Sequence, residues 1–496
     1  MKKKLQAYLQ ELFHLQSVIR LAEWDQLTYM PAKGADARGK QLSLLERLYH
    51  QRLIAPELDE YLEEMAQDQT LSEIDQSMYR VLKRERDRAI RLPESFVTAF
   101  SEHKAYSYQQ WLKAKEANDF SIVAPAMKDT LSYTKEYLQY FSRTEHIADP
   151  LIDEGDEGMT VSRVRKLFQE LKDQLVPFVR EITNRPQLED AFLHLHYPRE
   201  KQLEIISKIL PDLGYDSQRM SQDFAAHPFM TKIAHDDVRI TTRVNEYDLV
   251  DGLFSSIHEL GHGLYELNFS PTFEGTPLHE GASFGVHESQ SRLLENLVGR
   301  SLPFWERYYP ALQEQFPSQL GNVSLKQFYQ AINRVKPSLI RTEADEVTYN
   351  LHVMIRFELE MALLENDLTV DELPTAWNEA YQRNLGVYVS SDREGVMQDI
   401  HWYCDFLGGM FHGYTLGNLL SAQFYQAAVK SSPQILNQIQ EGNFQPLIHW
   451  LTEHVHRHAH QFTPDQIVER ATGTPIQVQP FLDYLQGKYV SLYAIN

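Results

Sequence analysis

The chain has 496 residues, 43% of them hydrophobic and 24% charged, and its 69 acidic against 48 basic side chains leave a formal charge of −21. So acidic a surface repels nucleic acid and anionic lipid, and no stretch approaches the roughly 18 consecutive apolar residues that a membrane span needs. The one cysteine, Cys404, rules out an intramolecular disulfide, and its aromatic setting, Trp402-Tyr403-Cys404-Asp405-Phe406, suits a buried structural thiol better than a nucleophile.

Met1-Lys-Lys-Lys4 has the charge of a signal n-region, but from Leu5 the apolar residues alternate with Gln, Glu and His. The start therefore reads as an amphipathic helix, and the protein is expected in the cytoplasm. Leu5, Tyr8, Leu9 and Leu12 recur at helical spacing, as do Leu42, Leu44, Leu45 and Leu48 after the turn-rich Met30-Pro-Ala-Lys-Gly-Ala-Asp36, so several helices are expected up to about Tyr140. Another helix follows Met159-Thr-Val-Ser162, with Val164, Leu167, Phe168, Leu171, Leu175 and Val179 on one stripe, and a further one lies near Leu203–Leu210. Two stretches alternate as strands do: Phe192-Leu-His-Leu-His-Tyr197 and Asp237-Val-Arg-Ile-Thr-Thr-Arg-Val244. The second runs directly into the next helix, which predicts a small sheet beside that helix, with an edge able to hold an extended peptide.

That helix carries Ser256-Ile-His-Glu-Leu-Gly-His-Gly-Leu-Tyr-Glu266. Positions i and i+4 share a helix face, so His258 and His262 can reach one metal ion while Glu259 projects beside it, placed to take a proton from water. Leu249, Val250, Leu253, Phe254 and Ile257 support the helix, with Asp248 as its N-cap. A catalytic zinc commonly takes three protein ligands and keeps one open position. Phe284-Gly-Val-His-Glu-Ser-Gln-Ser-Arg292 supplies a third in Glu288, followed by a second amphipathic run with Leu293, Leu294, Leu297 and Val298. Glu280 and Glu266 compete for that role, and Glu266 fits better as a carboxylate orienting a ligand histidine. Two imidazoles and a carboxylate accept cobalt and manganese as well as zinc.

Downstream the pattern is again helical. Arg341, followed by Glu343 and Asp345, reads either as a salt-bridged arginine on a helix surface or as a bidentate clamp for a carboxylate, with Arg239 as the second candidate. His401 in Gln398-Asp-Ile-His-Trp402 suits a core histidine held by Asp399, and His227 before Pro228 suits either a turn or a metal-supporting position. His454-Val-His-Arg-His-Ala-His460 contains two i, i+4 histidine pairs but lacks a third ligand type apart from Glu453, which suits adventitious more than physiological metal binding. With no repeat, low-complexity tract or linker, any domain cut would be arbitrary, and the chain is expected to be mainly α with a small β-sheet beside the metal.

Six ordered motifs carry a resemblance: His227-Pro-Phe229, Asp237-Val-Arg-Ile-Thr241, His258-Glu-Leu-Gly-His262, His287-Glu-Ser-Gln290, Ile340-Arg-Thr-Glu-Ala-Asp345 and Gly395-Val-Met-Gln-Asp-Ile-His-Trp402. With Glu23-Trp-Asp-Gln26, Met30-Pro31, Phe481-Leu-Asp-Tyr-Leu485 and Lys488-Tyr489, the chain resembles the carboxypeptidase Taq family of metallocarboxypeptidases over essentially its whole length. The resemblance implies one large, almost entirely helical domain over 1–496 with a deep substrate groove, a homodimer, and release of single C-terminal residues from peptides with a free C-terminus. It also favours Arg341 as the carboxylate clamp and places His401 in the groove, where it and Tyr414 become the donors to the oxyanion. Gly409-Met-Phe-His-Gly-Tyr414 departs from the family's usual run at Met410, His412 and Gly413, which bears on the pocket wall and so on side-chain preference. Within the same metal-binding class stand endopeptidases and dipeptidyl carboxypeptidases, and outside catalysis a metal-stabilised peptide-binding scaffold, against which the intact Glu259 speaks.

Overall fold

In the computed structural model, which describes residues 2–142 and 144–495, helices occupy 67% of the chain and strands 4%, so the mainly α expectation holds. The elements used below are α1 (Lys2–Thr28), α2 (Ala35–Leu53), α3 (Val161–Thr183), α4 (Arg199–Ile209), β1 (Met220–Phe224), β2 (Met230–Ala234), β3 (Asp237–Thr242), α5 (Asp251–Leu267), α6 (Phe284–Arg292), α7 (Tyr349–Glu365), α8 (Phe411–Ser431) and α9 (Gln479–Leu492). Among the described residues, no helix is long and apolar enough to cross a membrane.

Sequence patterning accounts for the helices. In α3, Thr160 accepts from the Arg163 N–H at the N-terminus, and Val164, Phe168, Leu171, Leu175 and Val179 are buried on one stripe, while Leu167 at its border is half-buried. In α5, Asp248 Oδ1 accepts from the backbone N–H groups of Val250 and Asp251 (3.1 and 3.2 Å), so the expected capping carboxylate is present but the regular helix begins two residues later than a cap at Asp248 implies.

One expectation is corrected. Phe192–Tyr197 is not a strand, because Ala191–His194 form a 3-10 turn. Alternation would bury Leu195 with Leu193 and Tyr197, yet Leu195 is 45% exposed and only the other two are core residues. The Tyr197 hydroxyl bonds back to the Phe192 carbonyl (2.7 Å), closing the segment on itself where a strand would extend it.

The chain divides into two compact units, each described by itself: residues 1–90, 189–332 and 420–476 form the first, and residues 91–188, 333–419 and 477–496 the second. In the first, β3 is central, parallel to β1 (Met220↔Val238) and antiparallel to β2 (Met230↔Ile240), with a bulge near Lys232. Val238 and Ile240 point from β3 onto α5, and Gly263 admits them: an added Cβ would lie 3.4 Å from each and 2.6 Å from the Met220 methyl. The opposite side of α5 meets α6 through Gly261, where the two backbones nearly touch. Leu253, Phe254, Ile257, Leu260 and Leu264 complete the buried surface of α5, each contributing about 1.5–3 kcal/mol of transfer free energy.

In the second unit α3 packs on α7, with Phe168 meeting Phe357 edge-on at 5.2 Å. The polar interior of that unit holds Arg356, its guanidinium stacked 3.5 Å from the Trp402 ring centroid and bonded to Glu360.

Candidate metal centre

His258 and His262 share one partly buried edge of α5, their rings 4.9 Å apart and inclined at 79°. Glu288 arrives on α6, which starts at the Ser283 cap and lies against Gly261, so the close backbone contact is what brings the third candidate within reach. Glu288 Oε2 stands 3.7 Å from His258 Nε2 and 3.4 Å from His262 Nε2. Among the described residues this is the only group of three or more metal-binding side chains that converges, with its ligand atoms within 4.8 Å of one another. A tetrahedral ion with bonds near 2.1 Å would set its ligand atoms about 3.4 Å apart, so the three donors fit such an ion.

The surroundings suit that role. Arg292 Nε holds Glu288 Oε1 at 2.7 Å, turning Oε2 toward the histidines. His258 Nδ1 meets Glu295 Oε2 at 2.9 Å, and Glu295 is held in turn by Arg292 and Arg300, each at 3.3 Å. His262 takes a different support: its Nδ1 lies 2.6 Å from His287 Nδ1, and His287 Nε2 lies 2.9 Å from Glu266 Oε1. The Lys232 ammonium, rising from β2, sits 2.7 Å from Glu266 Oε2. The proton positions follow from the donor rules. With Nε2 of His262 directed at a cation, its Nδ1 carries the proton and donates to His287, which donates through Nε2 to Glu266.

Burial alone would protonate Glu288, yet the charges of Arg292 and His258 hold it well below the usual carboxylate range. Burial would likewise raise Glu295, and Arg292 and the hydrogen bond from His258 bring it down to about 2. Burial pushes His262 down to about 4, which favours the neutral ligand form. Glu259, 7% exposed beside His258, is pushed up to about 7 by burial, against the pull of the His258 charge.

In the second unit, Arg341 and His401 meet on Asp399, and Tyr414 lies beside Arg341. Arg341 occupies a single 3-10 turn, Arg341–Glu343, and is 8% exposed, so it is not a salt-bridged residue on a helix surface. Its Nε donates to Asp399 Oδ2 (2.9 Å) and its Nη1 to the Tyr349 hydroxyl (3.1 Å), while the other Asp399 oxygen holds His401 Nδ1. The guanidinium carbon lies 5.1 Å from the Tyr414 ring centroid and 5.2 Å from that of Phe411.

Arg239, in the first unit, is already bound through two nitrogens to Asp237 (2.8 and 2.9 Å) and stacks on Trp24. His227 is exposed in the bend between β1 and β2. Glu280 pairs with Arg20 at 2.9 Å. Three of the four histidines after residue 453 take separate partners: His454 lies on Trp450, His456 bonds Gln290, and His458 lies on Phe462. His412 turns inward, fully buried 3.0 Å from Asp156, so its departure from the family pattern alters an interior pair and not a pocket wall; Met410 and Tyr414 keep part of their surface exposed.

Sequence reasoning gave no role to Glu295, Arg300 or His287, nor to Lys232. The available signals were the seven-residue step from Glu288 to Glu295 along one helical face and the position of His287 at the head of His287-Glu-Ser-Gln290.

The chain matches the carboxypeptidase Taq (M32) metallopeptidases over residues 4–489. It is 40% identical to thermostable carboxypeptidase 1 of Thermus thermophilus, covering 99% of this chain and 98% of that one, and 36% identical to carboxypeptidase 1 of Bacillus subtilis, covering 98% and 97%. The crystal structure of an M32 carboxypeptidase from Deinococcus radiodurans superposes with a TM-score of 0.98 at 43% identity, covering 99% of both chains.

Proposed function

The chain belongs to the carboxypeptidase Taq (M32) family and is a metallocarboxypeptidase, and from that premise we propose that it releases single C-terminal residues from peptides with a free C-terminus, using Glu259 as general base. The observation that carries this reading is the convergence of His258 Nε2, His262 Nε2 and Glu288 Oε2 next to a buried carboxyl, Glu259. His258, His262 and Glu288 would hold a divalent ion, zinc in this reading although cobalt or manganese fits the same donors, and that ion would supply polarisation of the scissile carbonyl and acidification of water. Glu259 takes the proton from the attacking water and passes it to the leaving amine. His401 and Tyr414 donate to the oxyanion, with Asp399 fixing the His401 ring. Arg341 pairs with the substrate's terminal carboxylate, so that only the last peptide bond is presented; Arg239 is the reserve for that role, and His227 belongs to the same substrate-binding set.

Residues 1–496 are read as one catalytic domain, since the chain passes between the two units five times and neither is a continuous segment. A homodimer in the cytoplasm completes the reading.

Mass spectrometry of N-blocked peptides, as free acids and as amides, tests it. Loss of one residue from free acids, with amides poor substrates, is the expected result. Loss of two residues, internal cleavage, or equal rates on both forms would overturn the single-residue reading.

A further inference from the structure

The segment between Asn333 and Thr348 has no regular structure except the single turn that begins at Arg341. It cannot hold the guanidinium in place by itself. One side chain ties it internally and one binds it from outside. Asp345 accepts from Lys336 N–H on the near side (3.0 Å) and from Val347 and Thr348 on the far side (3.0 Å each), and Gln398 bonds both the Leu339 carbonyl (2.8 Å) and the Arg341 N–H (2.9 Å).

The two flanks of the segment are gripped by one element, α9, and by the tyrosine that follows it. Before Arg341, the Val335 N–H donates to the Tyr493 hydroxyl oxygen at 2.7 Å, in a buried position. After Arg341, Glu346 receives the Tyr484 hydroxyl at 2.9 Å, the Tyr489 hydroxyl at 2.6 Å and the Lys488 ammonium. The Glu346 and Lys488 side chains are only 3% and 7% exposed. A buried ion pair is a poor source of stability, because desolvation offsets most of the attraction and an apolar contact of equal size does as well. What it offers is one geometry: a carboxylate with three converging donors fixes its backbone where an apolar contact would let it slide.

We propose that α9 is the positioning element of the arginine clamp: Tyr493 on one flank, and Tyr484, Lys488 and Tyr489 through Glu346 on the other, hold the 333–348 segment so that Arg341 meets the substrate carboxylate. This gives a function to the Tyr484, Lys488 and Tyr489 motif near the C-terminus. The inference rests on the reading of Arg341 as the clamp.

The test uses the full-length, metal-loaded enzyme with Tyr489→Phe, Tyr493→Phe and Arg341→Ala, alone and combined, on N-blocked peptides ending in a free acid or an amide. Each Phe variant is expected to raise KM for the free acid by roughly three- to thirtyfold, the coupling typical of one hydrogen-bonded network. The kcat on free acids, the residual rate on amides and the metal content should stay near wild type. In the Arg341→Ala background the Phe changes should add nothing to the loss of free-acid preference, since they act through that arginine. If Arg341→Ala abolishes the preference while both Phe variants retain it, or if their effects add in full to that of Arg341→Ala, the positioning role is wrong and the clamp stands. If Arg341→Ala leaves the preference intact, the clamp reading itself falls and the positioning role falls with it. Should Tyr489→Phe fail to fold, Tyr493→Phe decides alone, because it removes only the hydroxyl on the other flank.

Discussion

Gly261→Ala adds one methyl group between the two helices that carry the candidate metal ligands. Its Cβ would stand 2.5 Å from Ser291 Cα and 2.6 Å from the Gln290 carbonyl oxygen. Both neighbours are backbone, so no rotamer change relieves the clash, and α6 must retreat by nearly 1 Å to reach an ordinary 3.4 Å contact. Glu288 rides on that helix, its Oε2 3.4 Å from His262 Nε2, and a metal site tolerates only about 0.2 Å of error in its ligand distances. Overpacking a rigid contact costs about 1–3 kcal/mol. If the metal-bound state bears most of that cost, affinity falls by roughly ten- to hundredfold, the range seen when a ligand loses its support. Chelator competition with zinc reads the affinity, and thermal melts of metal-free and metal-loaded protein read how the cost divides. Gly39→Ala in α2 is the control, since nothing lies within 4 Å of its added Cβ; stability there should hold or rise by up to about 1 kcal/mol, with metal affinity unchanged. Wild-type affinity and melting temperature in Gly261→Ala would mean that α5 and α6 do not touch there, and the account of how Glu288 reaches the histidines would fail.

Chelation should abolish peptide hydrolysis, and added zinc or cobalt should restore it. Glu259→Gln should keep its metal by elemental analysis and lose roughly a hundred- to ten-thousandfold in kcat, whereas Glu288→Gln should lose metal at chelator concentrations that wild type withstands. Glu295→Gln removes the charge that orients His258 and should weaken metal binding about ten- to hundredfold in the same competition assay. Glu85 is pushed up to about 8 by burial and by the charge of Glu280. A carboxyl with a folded pKa above its unfolded value is stabilising when protonated, so its penalty is absent below about pH 4.5 and grows until about pH 8. Denaturant midpoints should show Glu85→Gln gaining on wild type across that window; a constant difference over the whole range would refute the shift.

The parts of the fold that a single chain reveals are those set by neighbours in sequence. Val164, Phe168, Leu171, Leu175 and Val179 mark α3 because a helix brings residues three and four apart onto one face, and all five are buried there. Asp237–Thr242 was legible as a strand from its β-branched alternation, and its place as the middle strand was not, since β1 and β2 pair with it across gaps that periodicity does not span. Phe192–Tyr197 misled for the same reason. Its alternation is real in the sequence, but the burial of Leu193 and Tyr197 is decided by the core they enter, and Leu195 is left in solvent.

The site divides along the same line. His258, Glu259 and His262 are separated by helical geometry alone, so their residue types and spacing are enough to propose their chemistry. The third candidate ligand was within reach because Glu288 follows by only 26 residues and few acids compete. Lys232 could not be found that way: its ammonium lies against Glu266, 34 residues on, only because a bulged edge strand is seated under α5. His287 was visible and still unreadable, since a histidine that accepts from another histidine has no local signature; its role appears only when its Nδ1 is found 2.6 Å from that of His262 and its Nε2 on Glu266. Arg341 shows the opposite limit. In sequence its two following acids suggested its partners, but Glu343 is exposed and Asp345 binds backbone, while the carboxylate that orients Arg341 is Asp399, which also holds His401. A charge's neighbours in sequence are thus a poor guide to its counterion when the segment is irregular, because without a repeating backbone nothing ties spacing to direction.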